Sequence, residues 1–125
     1  ILISVFCSTA WCMPCAADEK KANLPPGVKM ELDVPYIENG DEAQKLDIYY
    51  PEKPGDKPLP LIVHIHGGGW IGGSRFPCPV VSMTSKGYVV ASIGYRFSQK
   101  AKFPAQIQDC QAAIRWLRGN AAKYN

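Results

Sequence analysis

The sequence predicts a mixed α/β fold in which antiparallel N-terminal strands feed a parallel βαβα unit. Three observations carry this. Apolar residues alternate with polar ones in two segments before residue 51, the period of two that marks half-buried strands. Two later runs, at residues 61–65 and 88–93, are apolar without alternation, as expected of strands covered on both faces. A short helical segment separates those runs and a long one follows them, the order of a parallel unit with a right-handed crossover.

Composition sets the outer bounds. A chain of 125 residues makes at most one domain with a serviceable core. Its hydrophobic content of 46% and charged content of 20% exclude a disordered or fibrous class. The formal charge of +3 is spread along the chain, with nothing denser than pairs such as Lys20-Lys21. Neither a nucleic acid nor an anionic membrane surface is therefore expected as a partner.

Residues 1–17 stand apart. Ile1 begins an almost uncharged apolar run that continues through Phe6, Cys7, Ala10 and Trp11 to Met13; Cys15, Ala16 and Ala17 follow, and Asp18-Glu19-Lys20-Lys21 then starts a polar stretch. This is the pattern of a signal peptide cleaved after Ala17, which predicts a secreted or periplasmic protein. There is no initiator Met and no basic n-region, so further residues are expected before Ile1. The run is shorter than the roughly 20 residues that a membrane span requires. It can also be read as a buried first strand. The lipoprotein alternative lacks the small-residue pattern expected before Cys12 or Cys15. A third alternative is redox chemistry, because Trp11-Cys12-Met13-Pro14-Cys15 resembles the W-C-x-P-C motif of thioredoxin-like proteins. That motif needs a helix running on from the second cysteine, which lowers the first thiol's pKa. Leu24-Pro25-Pro26-Gly27 would break such a helix within about three turns. Of the five cysteines, cleavage would leave Cys78 and Cys110, which can pair in an oxidising compartment or stay free; the position of Cys110 on a helical apolar stripe favours a buried free thiol.

Residues 18–27 form a linker, and residues 28–125 the domain. Val28, Met30, Leu32 and Val34 alternate with polar residues in a first strand to residue 36. Asn39-Gly40 signals a turn, and Leu46, Ile48 and Tyr50 continue the alternation in a second strand, to be paired antiparallel with the first. Four prolines within residues 51–60 make that stretch a surface loop. Leu61-Ile62-Val63-His64-Ile65 is the first buried strand. After a glycine-rich loop, residues 80–85 suit a short helix closed by Gly87, and residues 88–93 a second buried strand. Phe103-Pro104 opens a long helix with proline in its first turn. Its apolar stripe is Ile107, Cys110, Ile114 and Leu117, flanked by Ala113 and Trp116. Gly119 either ends this helix or sits inside one that runs to Lys123. Another strand is expected after Asn125, which leaves the predicted sheet incomplete.

The chemistry lies in His66-Gly67-Gly68-Gly69-Trp70, directly after the first buried strand. Ester cleavage passes through a tetrahedral intermediate whose oxygen turns negative. Backbone N–H groups aimed at that oxygen lower the barrier, and losing one donor costs about 2.7–4 kcal/mol. Successive N–H groups converge on one point only if the backbone leaves ordinary φ/ψ space, which glycine permits while keeping Cβ atoms out of the way.

Residues 62–74, I-V-H-I-H-G-G-G-W-I-G-G-S, resemble the H-G-G-G-W oxyanion motif of α/β-hydrolase esterases and lipases related to hormone-sensitive lipase, including secreted carbohydrate-deacetylating esterases. Further motifs agree in order. Leu46-Asp47-Ile48-Tyr49-Tyr50-Pro51 resembles the family's L-D-x-Y-x-P strand, and Gly94-Tyr95-Arg96 its x-Y-R strand end. Phe103-Pro104-Ala105, Asp109 and Ala113-Ile114-Arg115-Trp116-Leu117 resemble its F-P-A…D…A-x-R-W-L helix. The resemblance implies an α/β-hydrolase sheet of which residues 28–125 are the N-terminal half. It implies that Gly68 and Gly69 donate to the oxyanion, that His66 and Gly67 shape the loop, and that Trp70 lines the substrate pocket. It also implies a Ser nucleophile, a His base and an Asp or Glu orienter beyond Asn125, acting on a small-molecule or polysaccharide-linked ester without metal or cofactor. One departure stands out: where the hormone-sensitive-lipase branch continues L-A-P-E, this chain has Phe97-Ser98-Gln99-Lys100, which favours the secreted deacetylase-like branch.

Other uses of these residues fit less well. Gly67-x-Gly69-x-x-Gly72 formally matches a dinucleotide fingerprint, but Pro77 and Pro79 oppose the helix that must follow at once, and no carboxylate ends the next strand. The glycines can equally mark a plain turn, and a non-catalytic hydrolase-like binding module would keep them too. His64 and His66 are set aside as a metal pair, with His64 read as packed. Ser74, Ser92 and Ser98 sit in no G-x-S-x-G elbow. Asp109 is either a loop-orienting hydrogen-bond acceptor or a solvated helix residue.

Overall fold

The computed structural model describes residues 24–124. The leader-like segment, the Cys12–Cys15 motif and the first part of the linker lie outside the described residues. Four strands form one sheet in the order β1-β2-β4-β3: β1 is Val28–Pro35, β2 Lys45–Pro51, β3 Leu61–Ile65 and β4 Val89–Ile93. As the alternation predicts, β1 pairs antiparallel with β2; β2 also pairs antiparallel with β4, and β3 runs parallel to β4. The crossover between the parallel strands carries a 3-10 helix, Val81–Lys86, closed by Gly87 in the left-handed region at φ 86°. Helix α1 is Ala105–Gly119, and a short helix α2, Ala121–Tyr124, follows.

The period of two in the strands sorts the core onto two faces. Leu46, Ile48, Val89, Ala91 and Ile93 pack with Ala113, Leu117 and Tyr124 of the helices. Tyr49 and Val90 point the other way, onto Cys78 and the 3-10 helix residues Val81 and Met83. Every residue of β4 is buried, which is why its sequence shows no alternation. β3 departs from the expected double burial. Ile62 and Val63 do touch opposite core clusters. As the last strand of the described sheet, however, β3 leaves Leu61 42% and Ile65 47% exposed.

The buried face of α1 also differs from the expected stripe. It consists of Ala105, Gln106, Asp109, Ala113 and Leu117. Ile107 is 49% exposed, while Cys110 and Ile114 are half-buried. Two polar residues displace the apolar ones because the fold supplies their hydrogen-bond partners, which removes the usual cost of burial. The helix stops at Gly119, where the Asn120 amide and side chain both donate to the Trp116 carbonyl, at 3.0 and 2.8 Å. Among the described residues, no helix is long and apolar enough to cross a membrane.

Candidate active site

The glycine loop leaves the C-terminal end of β3. Its backbone passes through the left-handed region at three consecutive residues, Gly68 (φ 124°), Gly69 (φ 61°) and Trp70 (φ 63°). A non-glycine residue there stores about 1–2 kcal/mol of strain, so Trp70 is held by its surroundings. A Cβ on Gly68 would overlap the Gly72 carbonyl, and one on Gly73 would overlap the Gly67 carbonyl and the His66 ring; a Cβ on Gly67 or Gly69 would meet nothing. The loop closes on itself through the Ile71 N–H, 3.2 Å from the Gly68 carbonyl. No helix follows it directly, the next being the 3-10 helix at Val81, so the context of a dinucleotide fingerprint is missing.

Aromatic rings hold the start of the loop. The buried His66 ring stacks on Tyr95 with centroids 4.5 Å apart at 13°, and the Phe97 ring stands perpendicular to it with centroids 5.9 Å apart. Tyr95 Oη donates to the His66 carbonyl at 2.9 Å. Burial raises the Tyr95 hydroxyl above its ordinary range, which keeps it a donor. His66 Nδ1 lies 2.8 Å from the Gly67 carbonyl, an oxygen that only accepts, so Nδ1 carries the proton.

The far end of the loop is tied to the sheet by Arg75. Its Nε donates to Asp47 Oδ1 at 3.0 Å, its Nη2 pairs with Asp33, and its carbonyl accepts from Ser92 Oγ at 2.6 Å. Asp47 is fully buried on β2. Asp33, in the left-handed region where the β1 register shifts, donates its N–H to the same Asp47 oxygen. Sequence reasoning did not find Arg75 or this use of Asp47. Its one hint was the position of Asp47 within the L-D-x-Y-x-P match.

Asp109 resolves in favour of the loop-orienting role. It is 2% exposed and accepts from Arg96 Nε, Nη2 and main-chain N–H at 2.9, 2.8 and 3.0 Å and from Gln44 Nε2 at 2.7 Å. Burial opposes its charge, but these hydrogen bonds outweigh burial and hold the carboxyl below its ordinary range. Gln106 adds bonds to the carbonyls of Arg96 and Ala101. The turn after β4 is thereby fastened to α1.

A cavity of about 520 Å³ opens beside the loop, lined by Gly67, Gly69 and Trp70 together with Ile65, Ile107 and Ile114. A second, of about 340 Å³, lies among Trp70, Ser98, Phe103 and Ile107, so Trp70, 62% exposed, borders both. Of the two expected donors, Gly69 lines these cavities; Gly68 is not among the lining residues and faces the Gly72 backbone. Neither N–H is bonded to a backbone carbonyl among the described residues. Ser92 is buried and donates to Arg75, and Ser74 Oγ accepts from the Phe76 N–H; among the described residues no serine is hydrogen-bonded to a histidine. Half-buried His64 lies opposite Ser92 in the β3–β4 register. No group of three or more His, Cys, Asp or Glu side chains is placed to hold a metal among the described residues. Cys78 and Cys110 are free thiols, Cys78 buried and Cys110 half-buried; burial pushes both above the ordinary thiol range.

The fold is similar to that of solved esterases. Esterase B from Lactobacillus rhamnosis superposes with a TM-score of 0.71 at 33% identity, over 87% of this chain and 37% of that one. A truncated carbohydrate esterase from gut microbiota gives 0.67 at 36% identity, over 78% and 35%. Among curated proteins, esterase LipC of Mycobacterium tuberculosis is 36% identical over 87 residues, 67% of this chain and 22% of LipC. The fold and sequence place the chain among the α/β-hydrolases, similar to esterases. More narrowly, the BD-FAE family model matches residues 46–125, and the chain belongs to that family. It spans about a fifth of LipC and somewhat over a third of the solved esterases.

Proposed function

We propose that the full-length protein is a serine-type carboxylic ester hydrolase in which the loop from His66 to Trp70 is the oxyanion cradle. The observation that carries this is the run of three left-handed residues, Gly68, Gly69 and Trp70, at a strand end beside an apolar cavity. In this proposal the N–H groups of Gly68 and Gly69 receive the negative oxygen, His66 and Gly67 shape the loop, and Trp70 forms the substrate wall. Nucleophile, base and orienting carboxylate come from outside residues 1–125. The substrate is a small-molecule or polysaccharide-linked ester, supported by the similarity to an esterase and to a carbohydrate esterase. Export follows from the leader-like first residues, and places the mature N-terminus near Asp18.

Nitrophenyl-ester hydrolysis tests the proposal. The full-length protein should turn over a short-chain ester and lose activity to a serine-directed phosphonate, while the 125-residue chain alone should be inert. Phosphonate-sensitive turnover by the short chain would overturn this division of roles. A full-length protein with neither turnover nor labelling would overturn ester hydrolysis itself.

A further inference from the structure

Phe97-Ser98-Gln99 is the segment in which this chain departs from the L-A-P-E pattern, and each of its residues touches the glycine loop. Ser98 N–H donates to the Trp70 carbonyl at 2.8 Å, and Gln99 Nε2 donates to the Ile71 carbonyl at 3.0 Å. The Phe97 ring makes T-shaped contacts with His66 and Tyr95, with centroids 5.9 and 5.8 Å apart. The loop is thus gripped on both sides of its glycines, by a ring before them and by two donors after them. The grip is itself rigid. The N–H groups of Lys100 and Ala101 both donate to the Phe97 carbonyl at 2.9 Å, and Gln106 of α1 binds the carbonyls on either side of the turn, at Arg96 and Ala101.

We infer that Phe97 and Gln99 are positioning residues for ester hydrolysis, which hold the loop so that the Gly69 N–H stays aimed at the developing oxyanion. The inference rests on the ester-hydrolase proposal above. A strained non-glycine conformation such as that of Trp70 persists only where its neighbours over-determine it, and the carbonyls of Trp70 and Ile71 are where this segment supplies that restraint. Preorganised donors lose rate steeply when they are misaimed by even a fraction of an ångström. Neither Phe97 nor Gln99 touches the reacting atoms; both act through the loop.

The test uses the full-length protein with Gln99→Ala, Phe97→Leu and Gln99→Glu. It reads kcat per phosphonate-titrated site, KM, and hydrogen exchange of peptides containing Trp70 and Ser98. Gln99→Ala and Phe97→Leu should each lower kcat per site about threefold to tenfold, with KM within about twofold, since the lost interaction matters only in the transition state. Exchange at the Ser98 amide should rise in both. Gln99→Glu should match Gln99→Ala near neutral pH, and its kcat relative to wild type should recover as pH falls toward about 4.3, where the carboxyl regains a donor. A role confined to stability predicts no such recovery, because titrating active sites removes the unfolded fraction. Unchanged kcat per site overturns the inference, and so does unchanged exchange. If the wild-type protein neither hydrolyses esters nor takes the label, the ester-hydrolase proposal fails, and exchange alone then decides the clamp: accelerated exchange upholds it and unaltered exchange overturns it.

Discussion

An alanine at position 68 would have to place its Cβ where the Gly72 carbonyl sits, at a φ of 124° that side chains rarely adopt. Its neighbour Gly67 meets neither obstacle: the space beside it is open, and its φ is not positive. The two residues are identical in sequence and opposite in tolerance. Gly68→Ala should therefore destabilise the protein by more than about 2 kcal/mol, whereas Gly67→Ala should stay within about 1 kcal/mol of wild type. Denaturant unfolding of both variants checks this, and the reverse ranking would remove the steric account of the loop. Gly73 belongs with Gly68, because a Cβ there would meet the Gly67 carbonyl and the His66 ring.

Helix α1 shows what can be read from pattern alone at the scale of an element. Its existence and its start follow from Pro104 and the apolar spacing, while its end at Gly119 is one of the two that the sequence left open. Its orientation does not follow from the pattern, because Gln106 and Asp109 are buried by partners elsewhere in the chain: Arg96, Ala101 and Gln44. A hydrophobic period counts apolar residues and has no term for a satisfied polar one. Ala113, fully buried against the sheet, is consequently the sensitive position. Ala113→Leu should cost about 1–3 kcal/mol by overpacking, while Ile107→Ser, at a half-exposed site, should change stability by about 0.5 kcal/mol or less. Comparable thermal shifts in the two would return Ile107 to the core. β1 was legible because its alternation matches half-burial and β4 because its unbroken apolar run matches full burial; β2 was legible as a strand but not as a buried one, since Asp47 and Tyr49 are buried along with Leu46 and Ile48. The exposure of β3 was not legible, because strand order is set by pairings that a local run cannot display.

Over the whole molecule, ion pairs join distant segments around the site. Arg75 and Asp47 join the loop to β2, and no local signal links two residues so far apart. Asp109 joins α1 to the turn after β4 through Arg96 and to the residue before β2 through Gln44. Because the folded state holds the Asp109 carboxyl below its ordinary range, the fold favours its ionised form. That stabilisation is fully present above the unfolded value of about 3.9 and is lost as pH falls through the lower folded value. Asp109→Asn should therefore be less stable than wild type near neutral pH by about 1–3 kcal/mol, and the gap should narrow below about pH 3.9. Unfolding curves of both proteins from pH 7 down to about 2 give that gap directly; a constant gap would mean that shape rather than charge matters at position 109.

The glycine loop takes its anchors from a few separable places: a ring stack at Tyr95, a donor pair at Ser98 and Gln99, and a buried carboxylate at Asp47. For protein engineering this makes it a cassette with adjustable mountings. The sheet-side mounting at Asp47 is fully buried and unforgiving, but Ser98 and Gln99 are exposed. Substitutions at that outer mounting could retune the loop without reopening the core, which makes it the natural starting point for a directed library.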